Sequence, residues 1–366
     1  MIKKYQIKEF SPIAPPYGGV SVYLRRLIES LNKDGFSAGG YYTHENQELE
    51  IRESPLFELF DWNASWSKLR KLYSHIRRII LASRQYDIIH IHGQELICLP
   101  ALVHLLKGQK IVITVHNAMI GNYFQRMSRL NRWGFKYLAE SNVQWVAVSE
   151  EAKEQLLGLP VRYTNPISII PAYIPDQTAL LPLPGALSLY ISQHEKIISF
   201  YGRSFMTYNN HDVYGFIPAI KAYKSIRDNS QMSVGLVMCV SDSSNISGLN
   251  ELHRYAEEMG VDNDIYWLVG GIKGIRALWA ATDVYVRPTY TDGDSVSVRD
   301  AMAEGAVVVA SNVCLRPEGV LIYQYGDDND FVEKIKIAME DNNTQSFGME
   351  YYEEMKRIYN LTLAQK

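Results

Sequence analysis

Two carboxylates, Asp292 and Asp300, stand eight positions apart in the stretch RPTYTDGDSVSVRDAMAEGAVVVAS, Arg287 to Ser311, on either side of a glycine-containing turn. A turn that feeds a helix at about Asp294 to Val298 leaves the first N–H groups of that helix without partners. Gly293, Asp294, Ser295, Val296 and Ser297 then line up as donors for a phosphate group, and the two acids as acceptors for hydroxyls. A second phosphate-seeking feature closes the run KIISFYGRSF, where Gly202 permits close backbone approach and Arg203 carries a permanently charged fork. Plainer readings stand beside these: Ser295 as an N-cap, Asp294 as a turn former, Arg203 as half of a surface ion pair. His116 ends the run ITVH, and its imidazole suits a hydroxyl contact or a proton near neutral pH. His90 and His92 alternate about Ile91 and share one face of a strand; a zinc centre would need further ligands that the sequence does not place, so a structural or contact role is expected. Gly18 and Gly19 open an amphipathic helix after a Pro-rich loop, Gly270 and Gly271 close the run IYWLVGG, and Ser149-Glu150 reads as a helix start.

These groups fall at the ends of short apolar runs rich in β-branched residues, and the runs alternate with helical patterns, as parallel βα units do. DIIHIHG, KIVITVH, QWVAVSE and ISIIPAYIP make one set, and KIISFYG, SVGLVMCVSD, IYWLVGG, DVYVRP and AVVVASN a second. Between the sets, Pro171 to about Gly185 is Pro-rich and uncharged, the natural place for a hinge. Open α/β sheets bind ligands beyond the carboxyl ends of their strands, so two facing sheets are expected to share a cleft. Two basic amphipathic stretches, 66–81 and 124–138, interleave Lys and Arg with Trp and Tyr; a solvated face and an anionic membrane surface both suit them.

The Asp292 to Ser311 block resembles the signature of the retaining family 4 glycosyltransferases of GT-B fold, in which an acid, a glycine turn, a second acid and then AMA-x-G-x-x-V-V-A-S follow in order. The Gly202-Arg203 strand end, the Gly270-Gly271 turn, the Gly18-Gly19 loop and His116 match further family features in the same order. The resemblance implies an α/β protein with two Rossmann-like domains facing a central cleft. An acceptor-binding domain would span 1–175, a linker 176–190, a nucleotide-sugar-binding domain 191–345, and a helix returning to the first domain 346–366. It implies a retaining, metal-independent hexosyltransferase with no cofactor, taking a UDP- or GDP-sugar as co-substrate and a glycan or lipid-diphosphate-linked acceptor. Family frequency points to bacterial surface polysaccharide.

By the same resemblance, Arg203 and the Ser295 helix start would hold the diphosphate, Asp292 and His116 the sugar, Asp300 the ribose, and the Gly270-Gly271 turn the base. Three departures are visible: Asp replaces Glu at both acidic positions, Asp294 stands where an aromatic is usual, and His211 follows two asparagines where a phosphate-binding Lys is usual. A pocket with shortened acids and one cation fewer is therefore expected. A non-catalytic nucleotide-sugar or glycan-binding relative and a GT-B nucleotide-sugar epimerase are the alternatives.

With 366 residues the chain suits two cores, and its formal net charge of −3 supplies no general attraction to nucleic acid. Cys98, Cys239 and Cys314 lie far apart in or beside apolar runs and read as buried, reduced thiols. The first residues contain no apolar leader, so a cytoplasmic location is expected, with the inner face of the cell membrane as the variant that the basic stretches suggest.

Overall fold

The computed structural model of the chain describes residues 5–12, 19–42, 52–59, 68–93, 97–116, 120–270, 274–292, 295–341 and 349–365. The chain divides into two compact units, Met1–Ile174 with Gly348–Lys366, and Pro175–Phe347.

In the first unit the described strands are β1 (Gln6–Pro12), β2 (Ser37–Tyr42), β3 (Phe57–Leu59), β4 (Ile88–Ile91), β5 (Lys110–Val115), β6 (Gln144–Ala147) and β7 (Ser168–Ile169). All pair in parallel, in the order β3-β2-β1-β4-β5-β6-β7. The strand order reverses between β1 and β4, and such a switch point opens a crevice beyond the strands' carboxyl ends. The connecting helices are α1 (Gly19–Lys33), α2 (Lys68–Gln85), α3 (Cys98–Lys107), α4 (Ile120–Arg126), α5 (Arg129–Ala139) and α6 (Glu150–Leu157).

Side chains alternate between the sheet's two faces. Ile89, Ile91, Ile111, Ile113 and Trp145 pack with residues of α3, α5 and α6, while Ile7, Ile88, Val112 and Val146 pack with α1 and the last helix, Glu350–Ala364. That helix buries Tyr352, Met355, Ile358, Tyr359 and Thr362, a stripe at helical spacing. Lys110 Nζ satisfies its terminal carbonyls at Leu363 (2.5 Å) and Gln365 (2.8 Å).

The second unit repeats the plan. β8 (Lys196–Gly202), β11 (Val234–Val240), β12 (Ile265–Val269), β13 (Val284–Arg287), β14 (Val307–Ser311) and β15 (Leu321–Tyr323) form a parallel sheet in the order β12-β11-β8-β13-β14-β15, so its switch point lies between β8 and β13. β9 (Thr207–Tyr208) and β10 (His211–Asp212) make a hairpin whose two turn residues, Asn209 and Asn210, both take positive φ, the backbone of a tight two-residue turn. Helices α7 (Gly185–Ser192), α8 (Phe216–Asn229), α9 (Ile246–Glu258), α10 (Arg276–Ala280), α11 (Val296–Ala303) and α12 (Asp328–Glu340) flank the sheet. All seven residues of β11 are buried, as expected for a central parallel strand covered on both faces.

Several sequence expectations need correction. Residues 185–190, read as the end of the linker, are helical: the last helix-blocking proline is Pro184, after which Leu187 is buried in the second core and the Tyr190 hydroxyl donates to the Asp264 carbonyl at 2.6 Å. The basic stretch 124–138 is two helices, because Ser128 caps α5 by accepting from the Asn131 N–H. ISIIPAYIP contributes only the two-residue strand β7. Cys98 and Cys239 are buried, whereas Cys314 is half-exposed.

Candidate functional site

Both of the second unit's phosphate-seeking features lie at its switch point, one after β8 and one after β13. Gly202 ends β8, and a Cβ there would collide with the Phe216 ring, so this glycine is required by the packing of α8. This packing requirement is a second reason for a glycine there, beside the expected approach of a ligand. Arg203 follows with its side chain 67% exposed and, among the described residues, only a long 3.7 Å ion pair to Asp242. Its guanidinium thus retains most of its capacity for phosphate oxygens.

After β13 the loop is organised around Asp292. Arg287 grips its carboxylate in fork geometry, Nε to Oδ2 at 2.9 Å and Nη2 to Oδ1 at 3.1 Å, and donates from Nη1 to the Tyr201 carbonyl at 2.9 Å. Arg316 adds Nη1 to Asp292 Oδ2 at 2.8 Å and reaches Thr289 and Ser311 with its remaining donors. All three side chains are nearly buried. Burial alone would raise the Asp292 carboxyl, but the two guanidiniums outweigh it and hold it below the usual carboxylate range. Arg287 and Arg316 were missed as site residues: Arg287 reads as a strand end, and Arg316 sits 24 positions from its partner in a patternless loop.

Gly215 ties the start of α8 to this loop: its φ is +84° and a Cβ would collide with the Pro288 carbonyl. Asp212 accepts from the N–H groups of Tyr214, Gly215 and Ile217 at 2.9–3.2 Å, satisfying that helix start. His211 stacks on Tyr290, with centroids 4.2 Å apart and planes 7° apart, and Tyr290 N–H bonds the Val213 carbonyl. The structure thus brings His211 to the acidic loop through Tyr290.

Ser295 stands at the N-cap of α11 but makes no side-chain cap; its hydroxyl pairs with Ser297 at 2.9 Å, and Ser297 with Tyr285 at 2.8 Å. Val296 is the first helical residue and, like Ser295 and Ser297, is half-buried. Asp300 is buried further along the same helix. Gly270, with φ +88°, follows β12 and its N–H bonds the Val240 carbonyl at the end of β11. Gly18, Gly271, Gly293 and Asp294 lie outside the described residues.

In the first unit the switch point carries a different chemistry. On the face covered by α1 and the last helix, the rows Ile7-Glu9, Ile88-His90-His92 and Val112-Thr114-His116 turn from apolar to polar toward the carboxyl ends. Glu9 Oε2 lies 2.7 Å from His92 Nε2 and 2.9 Å from His90 Nδ1, and Oε1 accepts from Tyr359 at 2.8 Å. His90 Nε2 is 2.7 Å from the Thr114 hydroxyl, and His92 Nδ1 is 2.9 Å from His116 Nε2. Glu9, His90 and His92 are buried; His116 is partly exposed.

Burial would raise the Glu9 carboxyl, but His90 and then His92 hold it far below its usual range. Burial and the charge on His90 pull His92 down to about 4, against the pull of Glu9. Burial likewise keeps His116 well below the ordinary histidine value.

Glu9 is the third ligand type that the sequence did not place, and the donor atoms of Glu9, His90 and His92 lie within 4.8 Å of one another. Their geometry nevertheless fits hydrogen bonding: both imidazoles converge on one carboxylate oxygen at hydrogen-bond length, and the opposite ring nitrogens are engaged by Thr114 and His116. Gly19 opens α1, and Glu150 opens α6 behind the N-cap Ser149, which accepts from the Ala152 N–H at 3.2 Å; Glu150 is exposed at 3.8 Å from Lys153, as a helix start requires.

Comparison with known proteins places both units. Residues 17–177 match the model described as Glycosyltransferase Family 4, and residues 195–341 match Glycosyl transferases group 1. A curated relative, the Escherichia coli UDP-Gal:alpha-D-GlcNAc-diphosphoundecaprenol alpha-1,3-galactosyltransferase, is 21% identical over 244 residues; the match covers 64% of this chain and 60% of that protein's length. The glycosyltransferase from Rickettsia africae is similar in structure, with a TM-score of 0.71 at 15% identity over 99% of this chain and 100% of the other. Anabaena HepE in complex with UDP and glucose gives 0.69 at 15% identity over 98% and 100%. With one family model on each unit and this fold throughout, the chain belongs to the glycosyltransferases of GT-B type.

Proposed function

We propose that the chain is a retaining, metal-independent glycosyltransferase that moves a sugar from a UDP- or GDP-sugar to a glycan or lipid-diphosphate-linked acceptor in surface polysaccharide assembly. The observation that carries it is the position of Arg203 and the α11 start at the two strand ends flanking the second unit's switch point, where α/β sheets receive phosphates. Arg203 and the α11 N–H groups stabilise the leaving diphosphate, Asp300 takes the ribose, and His116 orients the sugar. Asp292 holds the loop as part of an arginine cluster, with sugar contact confined to lone pairs that the arginines leave. UDP is favoured as the nucleotide, since HepE binds it and the E. coli relative takes UDP-Gal.

A melting-temperature screen against UDP-, GDP- and ADP-sugars tests the donor: the matching donor stabilises the native chain by mass action. Because Arg203 is exposed, Arg203→Ala is expected to leave the ligand-free melting temperature unchanged while weakening donor binding about 10- to 100-fold, the loss of one charged phosphate contact of roughly 1.5–3 kcal/mol. Equal donor affinity in the variant would remove Arg203 from the site. A second reading, donor binding without transfer, draws on the two arginines that already occupy Asp292. Donor stabilisation with no product on any lipid-linked or free glycan selects it.

The acceptor side is proposed to rest on an anionic membrane surface. α3 packs against both α2 and α5, and these three helices expose Tyr73, Leu105, Leu106, Leu130 and Trp133 along with Arg77, Lys107, Arg129 and Arg132. No described helix is long and apolar enough to cross a membrane. Cosedimentation with vesicles containing phosphatidylglycerol, falling with added salt and absent for pure phosphatidylcholine, is the expected result; Trp133→Glu is expected to abolish it.

A further inference from the structure

The polar row at the first unit's switch point has a direction built into it. A carboxylate only accepts, so the groups bonded to Glu9 donate to it: the Tyr359 hydroxyl at 2.8 Å and His92 Nε2–H at 2.7 Å, while His90 Nδ1 lies 2.7 Å from the Tyr359 oxygen and 2.9 Å from Glu9 Oε2. With its proton on Nε2 and burial keeping the ring neutral, His92 has its lone pair at Nδ1. The atom facing that lone pair at 2.9 Å is His116 Nε2, which must then donate. One nitrogen of His116, Nδ1, is left with a lone pair, and His116 is the partly exposed end of a line whose other members are buried.

Among the described residues, the titratable groups facing this line are Tyr23 from α1, with its ring 6.0 Å from His116 and 6.3 Å from His92, His90 on β4, and Tyr359 from the last helix. Burial pushes both tyrosines upward, so neither supplies a competing charge, and Thr114 beneath His90 is neutral. The direction of the line is therefore set at one place, by the carboxylate of Glu9.

We propose that Glu9, acting through His92, fixes His116 as its Nε2–H tautomer, so that this imidazole meets a sugar hydroxyl as a hydrogen-bond acceptor at Nδ1, with Glu9, His92 and Tyr359 as positioning residues. The sugar contact rests on the reading of His116 given under the proposed function; the tautomer does not. An ordinary neutral imidazole mixes its two tautomers, and the part of such a population protonated at Nδ1 would offer the hydroxyl the wrong group. The last helix takes part because Tyr359 holds the second oxygen of the same carboxylate.

Histidine labelled with nitrogen-15 in the full chain reports the tautomer directly, with the His116 signals identified by their loss in His116→Gln. The expected result in the native protein at pH 7 is a protonated Nε2 and an unprotonated Nδ1, which requires no variant to fold. In Glu9→Gln the two forms are expected to mix. Transfer is expected to fall about 10- to 100-fold in kcat with donor affinity unchanged, the scale on which outer partners of a functional histidine act. A native His116 protonated at Nδ1 overturns the proposal, as does one stoichiometric zinc ion in the native protein that Glu9→Gln loses. The stated tautomer together with undiminished transfer by His116→Gln overturns the sugar contact alone, a result distinct from native protein that binds donors and transfers nothing.

Discussion

Asp292→Ala is expected to destabilise the second unit by about 3–5 kcal/mol, the range for removing one partner of a buried charge cluster. Two guanidiniums, with side chains 9% and 1% exposed, share this one carboxylate among the described residues. Without it, both cations remain buried with their mutual repulsion uncompensated, and the desolvation cost that the carboxylate offset returns. Arg316→Met should cost less, about 1–3 kcal/mol, because it leaves the forked Arg287–Asp292 pair neutral and fills most of the vacated space, while freeing acceptors at Asp292, Thr289 and Ser311 that Arg287 and neighbouring groups still partly satisfy. The order of the two losses is the decisive quantity, measured by denaturant unfolding with a probe in the second unit. A melt of Asp292→Ala that matches the native protein, or that exceeds Arg316→Met in stability, would sink the cluster as the organiser of the loop. The prediction also bears on how activity is read: lost transfer in an Asp292 variant reports a collapsed loop as readily as a lost contact. Arg203→Ala is therefore the cleaner functional probe.

The strands with near-continuous apolar runs were legible in the sequence because a parallel strand covered on both faces is filled mostly by apolar side chains, as in β5, β11 and β14. β1 was not, although it is central, because Lys8 and Glu9 break its apolar run. Each has a partner that only the tertiary fold supplies: Lys8 Nζ runs between the Tyr41 and Tyr86 rings to Glu58, and Glu9 meets one histidine from β4, another just beyond its end, and a tyrosine 350 positions away. The same cause hid half of the candidate site. Gly202-Arg203 and the acidic turn announce themselves by local order, but the partners of Asp292 come from the end of its own strand and from a loop 24 positions later. Around the motif positions Arg287 and Arg316 add two cations that the expectation of a pocket one cation short did not count. His90 and His92 were placed on one face by their alternation alone; what joins them is Glu9, which no spacing rule connects to them.

That buried line should make the first unit sensitive to acid. His92 titrates at about 4 in the native protein, against an ordinary histidine value of 6.5. Between those values the unfolded chain binds a proton that the native chain refuses, so stability falls as pH falls through that window. Each tenfold weakening of proton binding is worth about 1.4 kcal/mol, so the loss is about 3 kcal/mol by pH 4, or roughly 6–12 °C in melting temperature for a domain of this size. His116, also held low, adds in the same direction over the same window. Glu9 has the opposite type of group but the same sign: its depressed carboxyl contributes stability above the ordinary carboxylate range and loses it only at still lower pH. All three groups therefore favour the native state at neutral pH and withdraw that support on acidification. Melting of the first unit at pH 7, 5.5 and 4 checks this, with His92→Asn as comparison. Asn keeps a donor for Glu9 but does not titrate, so the variant should be less stable at pH 7 and show a shallower fall toward pH 4. Parallel curves for the two proteins would mean that His92 takes up its proton in the native state as readily as in the unfolded chain and is charged over the acidic part of that range. In that case Nδ1 of His92 would donate to His116, the direction of the line would reverse, and His116 would lose the Nε2 proton on which its acceptor role depends.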